Sequence, residues 1–174
     1  MKRVISLIHA AVIISAIPFI AKAQEQYKMV SAGAELMVPA HGNNGLYKTP
    51  GYGAGVAVSF PVGSYGSITG RASYLRLDKK KVEGFDNFFP VQAGYRFSPS
   101  GQNIYLHGEG GVILLSDRGG IKQTNFILTG GPGYMLPVAN GFVDFSLKYS
   151  IEFFSGSTFG WTGVRVAYAF QFEQ

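Results

Sequence analysis

The sequence predicts an all-β protein, an eight-stranded antiparallel up-and-down β-barrel. Apolar and polar residues alternate with a period of two in eight segments, a pattern typical of β-strands. No helix-period pattern of useful length follows the first residues. The connections alternate between short turns and segments that are on the whole longer, as in a meander with an even number of strands. The predicted strands are 28–38, 51–61, 66–77, 88–98, 103–115, 123–136, 142–153 and 161–172.

The alternation is clearest in the seventh segment, "FVDFSLKYSIEF", where every second residue is bulky and apolar and the others are polar or charged. It is weakest in the third segment, at "YLRL", where Tyr74 and Leu75 are adjacent and both apolar. We predict a β-bulge there, because an extra residue restores the alternation.

The connections predict two different ends of the sheet. "VGSYG", "SPSG" and "VANG" are short and rich in turn residues. "AHGNNGLYKT", "DKKKVEGFDN", "SDRGGIKQ" and "SGSTFG" are on the whole longer and more polar. An even-numbered meander puts all the short turns, and both termini, at one end.

The first residues have the features of an export signal. Lys2 and Arg3 precede a mostly apolar run, and "AKA" at 21–23 offers small residues for cleavage. We therefore expect a signal peptide over 1–23 and a barrel domain over 24–174, exported through the Sec pathway. The alternative is a retained membrane anchor, against which Pro18 and the small-residue site argue.

Removing 1–23 from the 174-residue chain leaves 151 residues, enough for one domain. It also removes 3 of the 15 basic residues and no acidic one, so the net charge falls from +5 to +2. That value gives no support to a nucleic-acid partner. The chain contains no cysteine, which excludes disulfides and thiolate chemistry.

The scarcity of charge indicates which face of the barrel points outward. Charged residues number 22 of the remaining 151, about 15 %, against about 25 % in typical soluble domains. The polar faces are mostly small residues, which suit a narrow interior, and the apolar faces carry aromatics near both strand ends. We therefore predict a transmembrane barrel with its apolar face toward lipid; the alternative is a soluble barrel with that face inside.

The chain resembles the small outer-membrane β-barrel domains of Gram-negative bacteria, including those common in Bacteroidota. The terminal strand "GVRVAYAFQF" carries the resemblance, together with the export signal and the eight alternating strands. Tyr168, Phe170 and Phe172 share one face and look like the terminal signal that the barrel-assembly machinery reads. The family usually ends on the aromatic residue, whereas Glu173 and Gln174 follow here.

Four acids, four bases and one histidine fall on the predicted inward face. Near-balance predicts ion pairs across the lumen, with Arg71, Arg96 and Arg165 against Glu109, Asp144 and Glu35. A closed interior fits eight strands, and a charged constriction in a narrow pore is the alternative. The predicted network is Glu35, Arg71, Arg96, His107, Glu109, Asp144, Lys148, Glu152 and Arg165.

An enzymatic alternative rests on "HGE", which places His107 and Glu109 on one strand face. Some small outer-membrane barrels act on lipid A, and a hydrolase would need a nucleophile such as Ser73 or Ser146. His9 lies in the signal and His41 in a loop, so no metal site is predicted. "GGPG" at 130–133 is mid-strand and precedes no helix, so it is not a phosphate loop.

The run "DKKKVE" at 78–83 is predicted to face outside the cell as a solvated loop. The alternative is that Lys79, Lys80 and Lys81 contact lipopolysaccharide phosphates. We expect a monomer in contact with outer-membrane lipid and lipopolysaccharide, without cofactors or catalytic residues. Its predicted role is structural or in surface interaction; the alternatives are a narrow pore, a lipid A-modifying enzyme and a soluble periplasmic lipocalin-like binder.

Overall fold

The computed structural model describes residues 28–42, 50–78, 85–99, 103–117 and 120–172. The predicted signal peptide and Lys79, Lys80 and Lys81 lie outside these ranges. Among the described residues, no helix is long and apolar enough to cross a membrane. The strands are β1 Lys28–His41, β2 Gly51–Pro61, β3 Gly66–Asp78, β4 Phe85–Phe97, β5 Ile104–Asp117, β6 Gly120–Val138, β7 Gly141–Phe154 and β8 Ser157–Phe172.

The eight strands form a closed antiparallel barrel in chain order, as the sequence predicts. Closure joins β1 to β8, with Lys28 opposite Phe172 and Glu35 opposite Arg165. The register shifts at Pro39/His41 in this pair and at Leu115/Ser116 between β5 and β6. The end where residues 62–65 and 139–140 connect strands is called the turn end, and the opposite end the loop end.

The bulge predicted in the third strand is absent. β3 keeps a constant register with β2 through Tyr74 and Leu75, and with β4 on both sides of them. Tyr74 points outward and Leu75 is buried inside the barrel. The prediction was wrong because it assumed that the inward face is polar along its whole length.

Two of the predicted loops are also strand. β5 and β6 extend to Asp117 and Gly120, and β7 and β8 to Phe154 and Ser157. The β7–β8 connection is a two-residue turn at 155–156, in which Ser155 has φ 40° and Gly156 φ 82°. Positive φ at both central residues suits the twist of a tight hairpin. Many of the polar residues in "SDRGGIKQ" and "SGSTFG" are therefore part of the strands rather than of loops.

Inward-facing glycines allow the wall to curve tightly. A Cβ on Gly33 would collide with the backbone of Val166 and Ala167 on β8. A Cβ on Gly53 would likewise collide with the carbonyl of Tyr74 on β3. Glycine removes this steric barrier where neighbouring backbones approach closely.

Candidate functional site

The lumen is divided into two layers of side chains with different chemistry. Toward the loop end, inward positions of six of the eight strands carry buried apolar or aromatic side chains, a feature that the sequence-based prediction missed. Toward the middle and the turn end, the inward positions are mostly polar, charged or small. The residues of the apolar layer are Met37, Leu75, Leu77, Phe88, Ile113, Ile127 and Trp161.

The apolar layer is packed as a protein core. The rings of Phe88 and Trp161 meet edge to face with centroids 5.6 Å apart. Such contacts favour a fixed geometry beyond simple burial. Leu75 and Leu77 share the inward phase of Arg71 and Ser73, and this change from polar to apolar along one face was the available sequence signal.

Glu35 is the centre of one part of the polar layer. Lys148 Nζ lies 2.5 Å from Glu35 Oε2, and Arg165 Nε lies 3.4 Å from Oε1. Ser73 Oγ donates a hydrogen bond to Oε1 at 3.0 Å. A carboxylate deep in a low-dielectric interior requires this kind of compensation.

Asp144 is shared by two arginines. Arg96 Nη2 lies 3.3 Å and Arg165 Nη1 3.2 Å from Asp144 Oδ2. The Tyr105 hydroxyl donates to Oδ1. The Arg96 guanidinium also lies 4.2 Å from the centroid of the Tyr105 ring. Arg165 contacts both Glu35 and Asp144, and therefore links the two carboxylates.

A further pair lies on the other side of the lumen. Arg71 Nη1 is 3.1 Å from Glu109 Oε2, and Thr69 Oγ1 donates to Glu109 Oε1 at 3.4 Å. Both charged side chains are almost fully enclosed, with 4 % and 1 % of their surface exposed. Charge compensation therefore spans the lumen from β3 to β5 and from β4 and β8 to β7.

Glu152 does not join these ion pairs. It is buried at the level of the apolar layer, where Asn125 Nδ2 donates to Oε1 at 2.5 Å and Trp161 Nε1 to Oε2 at 3.1 Å. No ion pair links it to a lysine or arginine of the described ranges. The expected grouping of all four acids with all four bases is therefore wrong at this residue, because Glu152 lies further toward the loop end than the bases.

His107 is buried but stands apart from the ion pairs. Its ring lies 6.0 Å from that of Tyr105, and neither ring nitrogen has a hydrogen-bond partner among the described residues. Ser146 Oγ is also unpartnered in the described structure, and Ser73 Oγ is engaged by Glu35. The histidine, a serine and an acid are thus not connected as a hydrolytic triad requires. The described residues contain no group of three or more His, Asp or Glu side chains that could hold a metal ion.

The outer face has the opposite character. Exposed aliphatic and aromatic side chains cover it, including Val56, Leu147 and Phe170, each with more than half of its surface exposed. Among the described outward side chains, charge occurs only near strand ends, at Lys28, Arg76 and Asp78. Phe170 and Phe172 point outward on β8, and the Tyr168 ring packs on that of Phe170 with centroids 4.6 Å apart.

Solved structures share this architecture. Ail of Yersinia pestis, the attachment invasion locus protein, superposes with a TM-score of 0.57 at 16 % identity over 84 % of this chain and 100 % of Ail. The chain has the fold of the small outer-membrane β-barrels. The N-terminal barrel of Pseudomonas aeruginosa OprF gives 0.58 at 15 % identity, covering 84 % of this chain and 100 % of that one. Neisserial surface protein A gives 0.57 at 14 % identity, covering 83 % and 97 %.

The likeness to these outer-membrane barrels is one of fold. The sequence matches no protein-family model and no curated protein sequence. At identities of 14 to 16 %, the shared property is the closed eight-stranded wall, and the contents of the lumen must be understood from this chain alone.

Proposed function

We propose that this chain is an integral outer-membrane protein with a non-enzymatic role, in envelope structure or in surface interaction at its loop end. The observation that carries the proposal is the inverted distribution of polarity: ion pairs are buried inside, and aliphatic and aromatic side chains cover the outside. In water this surface would promote aggregation, whereas in a bilayer it lies in a matching solvent. A closed barrel also pairs every strand edge, which hydrocarbon demands.

The two layers of the lumen support a closed interior rather than a pore. Phe88 and Trp161 fill the loop-end layer, and Arg165 links Glu35 to Asp144 below it. Opening a water path would require displacing packed rings and separating buried charges, both of which are unfavourable. The unconnected His107 and Ser146 favour the non-enzymatic role over lipid A hydrolysis.

The proposed partners follow from the same surfaces. Ail has been studied in a phospholipid bilayer nanodisc, and we extend lipid contact to the exposed apolar wall of this chain. We infer that Tyr168, Phe170 and Phe172 act as the assembly signal, since they lie on the closing strand. A monomer, export through the Sec pathway, and lipopolysaccharide contact through Lys79, Lys80 and Lys81 belong to the same proposal.

Membrane insertion is tested by expressing the full chain in a Gram-negative host and separating the envelope fractions. We expect the protein in the outer-membrane fraction, resistant to urea extraction, and faster on a gel before boiling than after it. The shift arises because a closed barrel stays compact in detergent until heated. Recovery from the soluble periplasmic fraction, without a shift, would refute the proposal.

Closure of the lumen is tested separately in planar bilayers. The purified folded protein is expected to give no unitary current steps, because the ion-pair layer and the apolar layer both block the path. Only protein that the gel shift shows to be fully folded is added to the bilayer, so that an absence of current steps is not due to misfolded protein. Reproducible steps that scale with the inserted amount would instead support the narrow pore.

A further inference from the structure

The polar layer of the lumen carries one more positive than negative charge. Its cations are Arg71, Arg96, Lys148 and Arg165, and its carboxylates are Glu35, Glu109 and Asp144. This difference of one counts His107 as neutral and would grow if the ring were protonated. An uncompensated charge in a buried layer is costly, and so the missing negative charge needs a location.

Glu152 does not provide that charge within the layer. Its two carboxylate oxygens accept hydrogen bonds from the neutral donors Asn125 and Trp161. Trp161 belongs to the apolar layer, and Glu152 lies at the level of that layer, directly opposite Ile127 in the β6–β7 register, rather than among the arginines. A negative charge held in the polar layer itself would compensate the arginines more directly, since Coulomb energy falls with distance.

A small cavity within the polar layer is lined by residues that carry unpartnered donors. Its volume is about 10 Å³, and Met29 and Ala169, near the turn-end limits of β1 and β8, are among its lining residues. Ser59, Arg71 and Arg96 line it too. Ser59 Oγ, Arg71 Nε and Arg96 Nε are buried and have no hydrogen-bond partner among the described residues. Buried donors without partners are uncommon in folded proteins and indicate a missing acceptor.

We propose that this cavity binds one small monovalent anion, of the size of chloride, which compensates the excess charge and accepts hydrogen bonds from Ser59, Arg71 and Arg96. The cavity has room for about one water-sized sphere, so phosphate and sulfate are too large for it. Glu109 and Asp144 also line it, and their charges would repel a multivalent anion. The inference concerns the interior and does not depend on the role proposed for the surface.

The first test is direct observation of the ion. Crystals of the folded full-length protein are soaked in sodium bromide, and an anomalous difference map is calculated at the bromine edge. We expect one peak in the cavity, within hydrogen-bonding distance of Ser59 Oγ and an arginine nitrogen. A cavity that contains only water, or no ordered atom, would overturn the proposal.

The second test supplies the negative charge covalently. Ser59→Asp puts a carboxylate at the cavity wall, and Ser59→Asn is the neutral control of nearly equal size. The midpoint temperature at which the fast-migrating folded band is lost from the gel is measured in chloride and in gluconate at equal ionic strength. For the wild type we expect chloride to raise the midpoint by about 3 °C or more. Ser59→Asn fills the same space without a charge, so it is expected to lose the chloride dependence and to melt at a lower temperature than Ser59→Asp.

Ser59→Asp is expected to lose both the chloride dependence and the bromide peak, because its carboxylate occupies the place of the ion. A bromide peak that persists in Ser59→Asp would mean an adventitious ion only. Equal wild-type midpoints in the two salts would also overturn the proposal. The wild-type measurements decide the matter even if Ser59→Asp fails to fold.

Discussion

Replacing Asp144 by asparagine is expected to lower the free energy of unfolding of the barrel by about 3–5 kcal/mol. Asp144 is 1 % exposed and is the shared partner of Arg96 and Arg165. An amide at this position would leave the buried Arg96 without a carboxylate partner and Arg165 with Glu35 alone, while the side-chain volume stays almost the same. The loss is therefore electrostatic, and it is measured by urea titration of the protein folded in lipid vesicles.

Glu152→Gln is the matched control for this experiment. Glu152 lies on the same strand, is 2 % exposed, and accepts hydrogen bonds from the neutral groups of Asn125 and Trp161. Its substitution disturbs hydrogen bonds but separates no ion pair, so we expect a loss of about 1 kcal/mol. Equal losses for Asp144→Asn and Glu152→Gln would contradict the central role of the shared carboxylate.

Replacing Val56 by arginine is expected to destabilise the barrel in a bilayer by about 2–4 kcal/mol. Val56 lies in the middle of β2, points outward, and is 54 % exposed. On a water-facing surface the same change would alter the free energy of unfolding by only about ±0.5 kcal/mol. The sign and size of the effect therefore report which solvent surrounds this wall.

Val56→Leu is the control, since it keeps the position apolar and leaves the inward face untouched. Both variants are compared with the wild type by vesicle folding and urea titration. We expect Val56→Leu to match the wild type within about 0.5 kcal/mol. An arginine tolerated as well as leucine would argue for the soluble barrel and against the lipid-facing wall.

The strands and their faces could be predicted because they depend on local alternation. Val143 and Phe145 differ in direction from Asp144 simply because successive Cβ atoms of a strand point to opposite sides. The prediction failed where we assumed that every inward-facing residue would be polar. Leu75 faces inward although it is apolar, since the lumen is polar only in part. At "SGSTFG" the polar composition suggested a loop, but Gly156 permits a tight turn and the strands continue.

The partners of the interior charges could not be predicted in the same way. Glu35 is opposite Arg165 because β1 and β8 close the barrel in one register, and a shift of two residues would place Gly33 or Met37 there. The separation of Glu152 from the arginines depends on how far along the barrel each strand carries its residues. Neither the register of closure nor the position of a residue along the barrel can be predicted from the pattern of a single segment.

By itself, the sequence determined the number of strands, the side on which each residue lies, and the scarcity of charge on one face. These follow from local backbone geometry and composition. Only the tertiary structure decided that the lumen has an apolar layer above a polar one, and that Arg165 links Glu35 to Asp144. The physical reason is that height and distance inside a barrel are set by strand register and closure, which bring together residues more than 100 positions apart.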